Sequence, residues 1–160
     1  MFWIRSILFG FSLILAGCSG EPPVEKAIIG TWVQATPTSM TSQGIQTTTT
    51  DTVLTLKKNG EAKLTRNLTI AGQKLPPNGI PLRVELTGNW EISNGQLKQI
   101  QNSALILPQN PDEISQAWAD ELQKQADGGQ ASVKNIILAN KNQLILQDTG
   151  TETTDTYRRK

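Results

Sequence analysis

Asn59-Gly60 and Asn94-Gly95 each stand next to stretches in which apolar residues recur at every second position, and few folds accommodate that combination. Asn and Gly tolerate the positive φ angles of a type I′ turn, whose twist matches that of two paired antiparallel strands. Beyond the first turn, Ala62, Leu64, Leu68 and Ile70 alternate with polar residues, and Arg66 stands in the same series. Before the second, Leu82, Val84, Leu86, Trp90 and Ile92 alternate likewise. A period of two puts each series on one face of a strand. Strands are therefore expected over residues 28–36, over a Thr-rich stretch ending at 53–57, and over 61–70, 82–93, 96–107, 131–139, 143–148 and 151–159. The fifth slips its alternation near Asn102, the mark of a bulge. Eight strands without a parallel crossover make an all-β fold, an eight-stranded antiparallel up-and-down meander.

One helix interrupts the series between strands five and six. Asn110 is placed to cap it, Pro111 to occupy its first position, and Asp112 and Glu113 to sit at the positive end of its dipole. Ile114, Trp118 and Leu122 recur every four residues, the spacing of one helical face, and Trp118 reads as its anchor on the core. Asp127-Gly128-Gly129 ends it. The acids of this segment read as capping and solvation. Tight turns at 59–60, 94–95 and 140–142 fall at one end of the meander, and long connections over 37–50, 71–81 and the helical segment at the other. This asymmetry describes a cup closed at its hairpin end. The Thr47–Thr50 run and Thr151, Thr153, Thr154 and Thr156 read as solvent faces of strands.

Composition narrows the chemistry. There is no His, which removes the usual general base, the Ser-His-Asp and Cys-His schemes and most zinc sites. No carboxylate, Lys or Tyr constellation of convincing spacing takes their place, so neither an enzyme, a cofactor nor a metal is expected. Of 15 basic side chains Arg5 lies in the N-terminal segment, which leaves 14 against 14 acidic ones beyond it. A neutral balance offers no electrostatic footprint for nucleic acid.

The N-terminal segment carries Arg5 and then an almost wholly apolar run over residues 7–15, about half of the roughly 20 residues a membrane span needs. It ends in Leu15-Ala16-Gly17-Cys18, with the only cysteine of the chain. This stretch resembles the lipobox of bacterial lipoproteins. The resemblance implies a signal peptide over 1–17 and cleavage before Cys18. It also implies a diacylglycerol thioether on Cys18, often with a third acyl chain such as palmitate on its amine. One chain, at about 0.8 kcal/mol per buried methylene, anchors only marginally, whereas two or three anchor effectively for good. Ser19, where an Asp would favour inner-membrane retention, implies the outer membrane of a cell envelope and a periplasm-facing domain. Residues 18–27 then form a lipidated tether and 28–160 the β domain.

Gly30-Thr31-Trp32 at the start of the first strand, with Arg158 or Arg159 at the end of the last, is similar to the lipocalin signature. Gly88-Asn89-Trp90-Glu91-Ile92, followed by Asn94-Gly95, is similar to a segment of small bacterial lipocalin-like domains. The resemblance implies a lipocalin-like barrel whose closed end is plugged by Trp32 and Arg158, and a cup that holds a small apolar or amphipathic molecule. The chain departs from that family in its helix, which normally follows strand eight, and in lacking its other motifs. Arg66 and Trp90 are the candidate ligand-binding residues. Arg66 either enters the interior as an anion anchor or snorkels to the open rim, and Trp90 either stacks on a ligand or fills the core. The competing reading is an envelope interaction or inhibitor module, with a filled barrel acting through its loop end. Cys18 leads into the first strand at the closed end, which sets the membrane on the hairpin side and the open end toward the aqueous space.

Lipidation of Cys18 has a direct test. Cells fed labelled palmitate are expected to transfer label to the wild-type protein and none to Cys18→Ser, read by autoradiography of the immunoprecipitated chain.

Overall fold

Alternation and tight turns produce one continuous antiparallel sheet in the computed structural model, which describes residues 23–160. The expected signal segment and lipobox, with Cys18, lie outside the described residues. The strands are β1 (Gly30–Gln34), β2 (Thr38–Ser42), β3 (Ile45–Leu56), β4 (Glu61–Gly72), β5 (Ile80–Ser93), β6 (Gln96–Pro108), β7 (Ala131–Ala139), β8 (Gln143–Asp148) and β9 (Thr154–Arg159). Two helices accompany them, α1 (Val24–Ala27) and α2 (Glu113–Ala126). β1 pairs with β9 on one side and with the second half of β3 on the other, and so closes an eight-stranded up-and-down barrel. α2 enters between the fifth and sixth barrel strands, β6 and β7.

The ninth strand, β2, corrects the expectation of a long loop over 37–50. It forms a hairpin with the first half of β3, from Thr38↔Thr49 to Ser42↔Ile45. Its turn is Gln43-Gly44, both with positive φ (50° and 77°), a type I′ geometry with Gln where Asn is usual. The β-branched Thr residues that read as a solvent face are thus ladder residues, with the Ser39 and Thr48 hydroxyls 3.1 Å apart across the pair. Asn94-Gly95 is also type I′, with φ of 52° and 74°. At Asn59-Gly60 only the glycine has positive φ, and Gly60 N donates to Lys57 O at 3.0 Å. The connection expected over 71–81 shortens to 73–79, and β9 starts at Thr154 because Asp148 Oδ1 accepts the backbone N–H groups of Gly150 and Thr151 at 2.9 Å each.

The bulge at Asn102 is present. Thr87 faces Ser103 and Gly88 faces Gln101, which leaves Asn102 unpaired. A Cβ on Gly88 would lie 2.0 Å from Ile100 O, so only glycine fits opposite the bulge.

Helix α2 differs in two respects from its expected form. Asp112, not Asn110, is the N-cap: its carboxylate accepts Ser115 N at 2.9 Å and Ser115 Oγ at 2.6 Å, and Pro111 falls outside the helix. The hydrogen bond from the Ser115 hydroxyl is the main cause that holds the Asp112 carboxyl below its ordinary range. The face toward the sheet carries Ser115, Trp118, Ala119 and Leu122, while Ile114 is 51% exposed.

This helix takes the place of a strand. β7 pairs with β6 only from Gln96 to Ile100. Beyond, the bare edge of β6 is covered by side-chain and loop groups: Gln123 Oε1 accepts Ile106 N at 2.9 Å, Gln123 Nε2 donates to Ala104 O at 2.9 Å, and Gln101 N donates to Gln130 O at 2.8 Å. Without this cover the upper β6 edge would stand open as a template for pairing with another chain.

At the hairpin end, Trp32 is fully buried and its Nε1 donates to Ile28 O at 2.8 Å. The α1 turn, formed by the last residues of the expected tether, carries Ala27 and Ile28 into this end as well. The guanidinium of Arg159 lies 4.2 Å from the Trp32 ring centroid and donates to the carbonyls of Lys141, Ile29 and Ala27 at 2.6, 2.9 and 2.7 Å. Arg158, expected in the plug, is instead exposed beside Val33, because adjacent strand residues point to opposite faces.

Gln123→Leu removes the side-chain amide that serves two backbone groups of β6. It is expected to lower stability by about 2 kcal/mol in urea unfolding, with faster amide exchange at Ile106 as its local signature.

Candidate functional site

The inward face of the long strands is apolar at both ends and polar in the middle. Toward the hairpin end Trp32, Leu54, Leu56, Ala62, Leu97, Leu144, Leu146 and Tyr157 form one buried cluster, joined by Leu64, Trp90 and Ile92. Toward the other end Leu68, Ile70, Ile80, Leu82 and Val84 pack beneath Trp118, Ala119 and Leu122 of α2. Along β4 the order is Ala62, Leu64, Arg66, Leu68, Ile70, so Arg66 stands where the first cluster gives way to the second. Gly88 on β5, which pairs with Ala62, and Gln99 and Gln101 on β6 line the interior with Arg66. Lys134 on β7 and Asp155 and Tyr157 on β9 complete a polar belt inside the barrel.

A cavity of about 220 Å³ opens at this belt. Its walls include Arg66, Gln99, Gln101, Ser132, Lys134 and Tyr157, with Ala62, Leu64, Leu86 and Leu146 as the apolar part. Gln130, Ala131 and Ser132 are exposed and belong to its lining, which sets the mouth where β7 begins and parts from β6. The pairing of β6 with β7 ends at Ile100 and Ala131, and the cavity opens where the two strands part.

Charges in the belt are unequally satisfied. Lys134 Nζ pairs with Asp155 Oδ2, and Gln34 Nε2 donates to Asp155 Oδ1 at 3.2 Å. Arg66 has no such partner: among the described residues its Nε is buried without a hydrogen bond, and no carboxylate lies within ion-pair distance of the guanidinium. Burial pulls the Arg66 guanidinium below its usual range, opposed by neighbouring Tyr157 and Asp155. Burial, with Asp155 nearby, pushes the Tyr157 hydroxyl above its ordinary range, so it stays protonated and remains a hydrogen-bond donor at neutral pH.

Of the residues singled out from the sequence, Arg66 lines the cavity and Trp90 does not. Trp90 packs against the hairpin-end cluster, and its Nε1 donates to Lys57 O at 2.9 Å. A ligand in this cavity has no stacking surface on Trp90, which corrects that expectation. Trp32 and Arg159 stand at the closed end, apart from the cavity lining. Tyr157, Lys134, Gln99 and Gln101 were not recognised in the sequence. Tyr157 and Asp155 alternate within a short Thr-rich strand whose inward face cannot be told from its outward one without the register. Gln101 sits beside the bulge that shifts the phase of β6.

No family model matches the chain, and no curated protein does either.

A half-buried guanidinium whose Nε is buried without a partner costs stability that an apolar side chain of similar length would not. Arg66→Met is expected to raise stability by about 1–2 kcal/mol, measured as an upward shift of the thermal midpoint. A drop of the same size would mean that Arg66 holds the barrel together.

Proposed function

We propose that this chain is an outer-membrane lipoprotein, anchored through an acylated Cys18, whose lipocalin-like barrel holds a small apolar or amphipathic molecule in the cell envelope and catalyses no reaction. The observation that carries the binding reading is the cavity at the centre of the barrel, with the unpartnered Arg66 among its walls. A barrel that served only as a scaffold would gain by filling this level with Leu or Val, as it does above and below. Retention of a cation there, at a cost in stability, fits a site kept for a ligand. The closed-end contact of Arg159 with Trp32 supports the lipocalin-like reading, because it supplies the Trp–Arg pairing which that resemblance implies.

A second reading, an interaction module acting through the loop end, draws support from the β2–β3 hairpin. β2 is exposed along its whole length, and Met40 is 72% exposed. An apolar side chain on a free strand edge suits partner binding by strand addition.

The two readings separate on one preparation. A soluble form beginning at Ser19, isolated gently from the periplasm and extracted with organic solvent, is expected to yield one recurring small molecule at near-stoichiometric amount by mass spectrometry. A clean extract, together with no binding of a fluorescent fatty-acid analogue, would favour the interaction module.

A further inference from the structure

We propose that the barrel cavity takes a small organic monocarboxylate, its carboxylate paired with the Arg66 guanidinium and its short apolar body laid against Ala62, Leu64, Leu86 and Leu146. The proposal rests on the small-molecule reading above and adds the charge, shape and size of the ligand.

Charge follows from the belt. Arg66 and Lys134 are cationic, Asp155 is anionic and already paired with Lys134, so the belt carries one uncompensated positive charge. A monoanion neutralises it, whereas a dianion or a metal cation would leave or add a charge inside the barrel. Shape follows from the donor. A guanidinium is a planar fork that matches the two oxygens of a carboxylate. The Tyr157 hydroxyl and the Gln99 amide line the same cavity and offer further neutral donors. Size follows from the volume. A volume of about 220 Å³ is below the roughly 300–1,000 Å³ usual for drug-sized molecules. A compact acid fits within it. The apolar walls give such an acid an advantage over chloride or inorganic phosphate, which bury no hydrocarbon.

Isothermal titration of the full-length protein in a non-ionic detergent, at fixed ionic strength, tests this with butyrate, hexanoate and benzoate beside the neutral amides of the same skeletons. At least one of the acids is expected to bind with 1:1 stoichiometry, and its amide at least about 30-fold more weakly. Arg66→Met should erase that preference while circular dichroism remains that of the folded barrel. Arg66→Lys, which keeps the charge and loses the fork, should retain part of it. Equal binding of acid and amide, or equal competition by chloride or phosphate, would overturn the carboxylate assignment and leave the small-molecule reading standing. If neither series binds and the solvent extract is also blank, both fall.

Discussion

The guanidinium of Arg159 lies over Trp32 and reaches the carbonyls of Ala27, Ile29 and Lys141, and it thereby joins the first barrel strand, the turn before it and the loop between β7 and β8. A barrel exists only when its first and last strands meet, and here a short β1–β9 ladder is reinforced by one side chain with three backbone acceptors and an aromatic face. Gly30 makes the approach possible. A Cβ there would stand 2.2 Å from Arg159 Nη1, and its φ of +146° suits glycine. The Gly-Thr-Trp sequence is thus one mechanical unit, in which the glycine clears a path for the arginine and the tryptophan receives it. The belt, the cavity and the helix seat all depend on this closure, because they are defined by strands held at fixed spacing around a closed ring.

Much of this architecture was legible in the residue pattern, for reasons that differ by element. β4 and β5 alternate without interruption and turn on unmistakable glycines, so their faces could be assigned directly. The break at Asn102 was visible because a bulge shifts the phase of the alternation that follows it. The β2–β3 hairpin was missed because Gln43-Gly44 lacks the usual Asn and because the Thr and Ser around it alternate only among polar types, which period-two reading cannot phase. The helix and most of its contact face are legible too: Trp118 and Leu122 pack on the sheet as their spacing implies, and Ile114 alone stands off it while Ser115 and Ala119 take its place. Arg158 and Arg159 could not be separated from sequence because their choice depends on the register against β1.

The site itself was only half legible. Arg66 stood out as a charge in an apolar series, the kind of local inconsistency that marks function when the rest of a strand obeys its pattern. Its companions come from β6, β7 and β9, separated from it along the chain, and only closure of the ring gathers them. Their arrangement also explains why the interior separates into two cores. Leu64 and Leu68 flank Arg66 on β4 and belong to different clusters, so the polar level works as a spacer. The cluster below it secures the ring, and the cluster above it secures the helix.

That division has a kinetic consequence. The seam where α2 stands in for a strand is held by side-chain amides, while every other junction of the barrel is a backbone ladder. Separating two strands breaks many hydrogen bonds in concert, whereas lifting one helix end breaks few, and such weakly coupled segments open first in a folded protein. The mouth of the cavity lies at the C-terminal foot of this helix, beside Gln130 and Ala131. Exchange between solvent and cavity can therefore proceed at the foot of α2 while the ring stays shut, which separates the lifetime of an occupant from the lifetime of the fold.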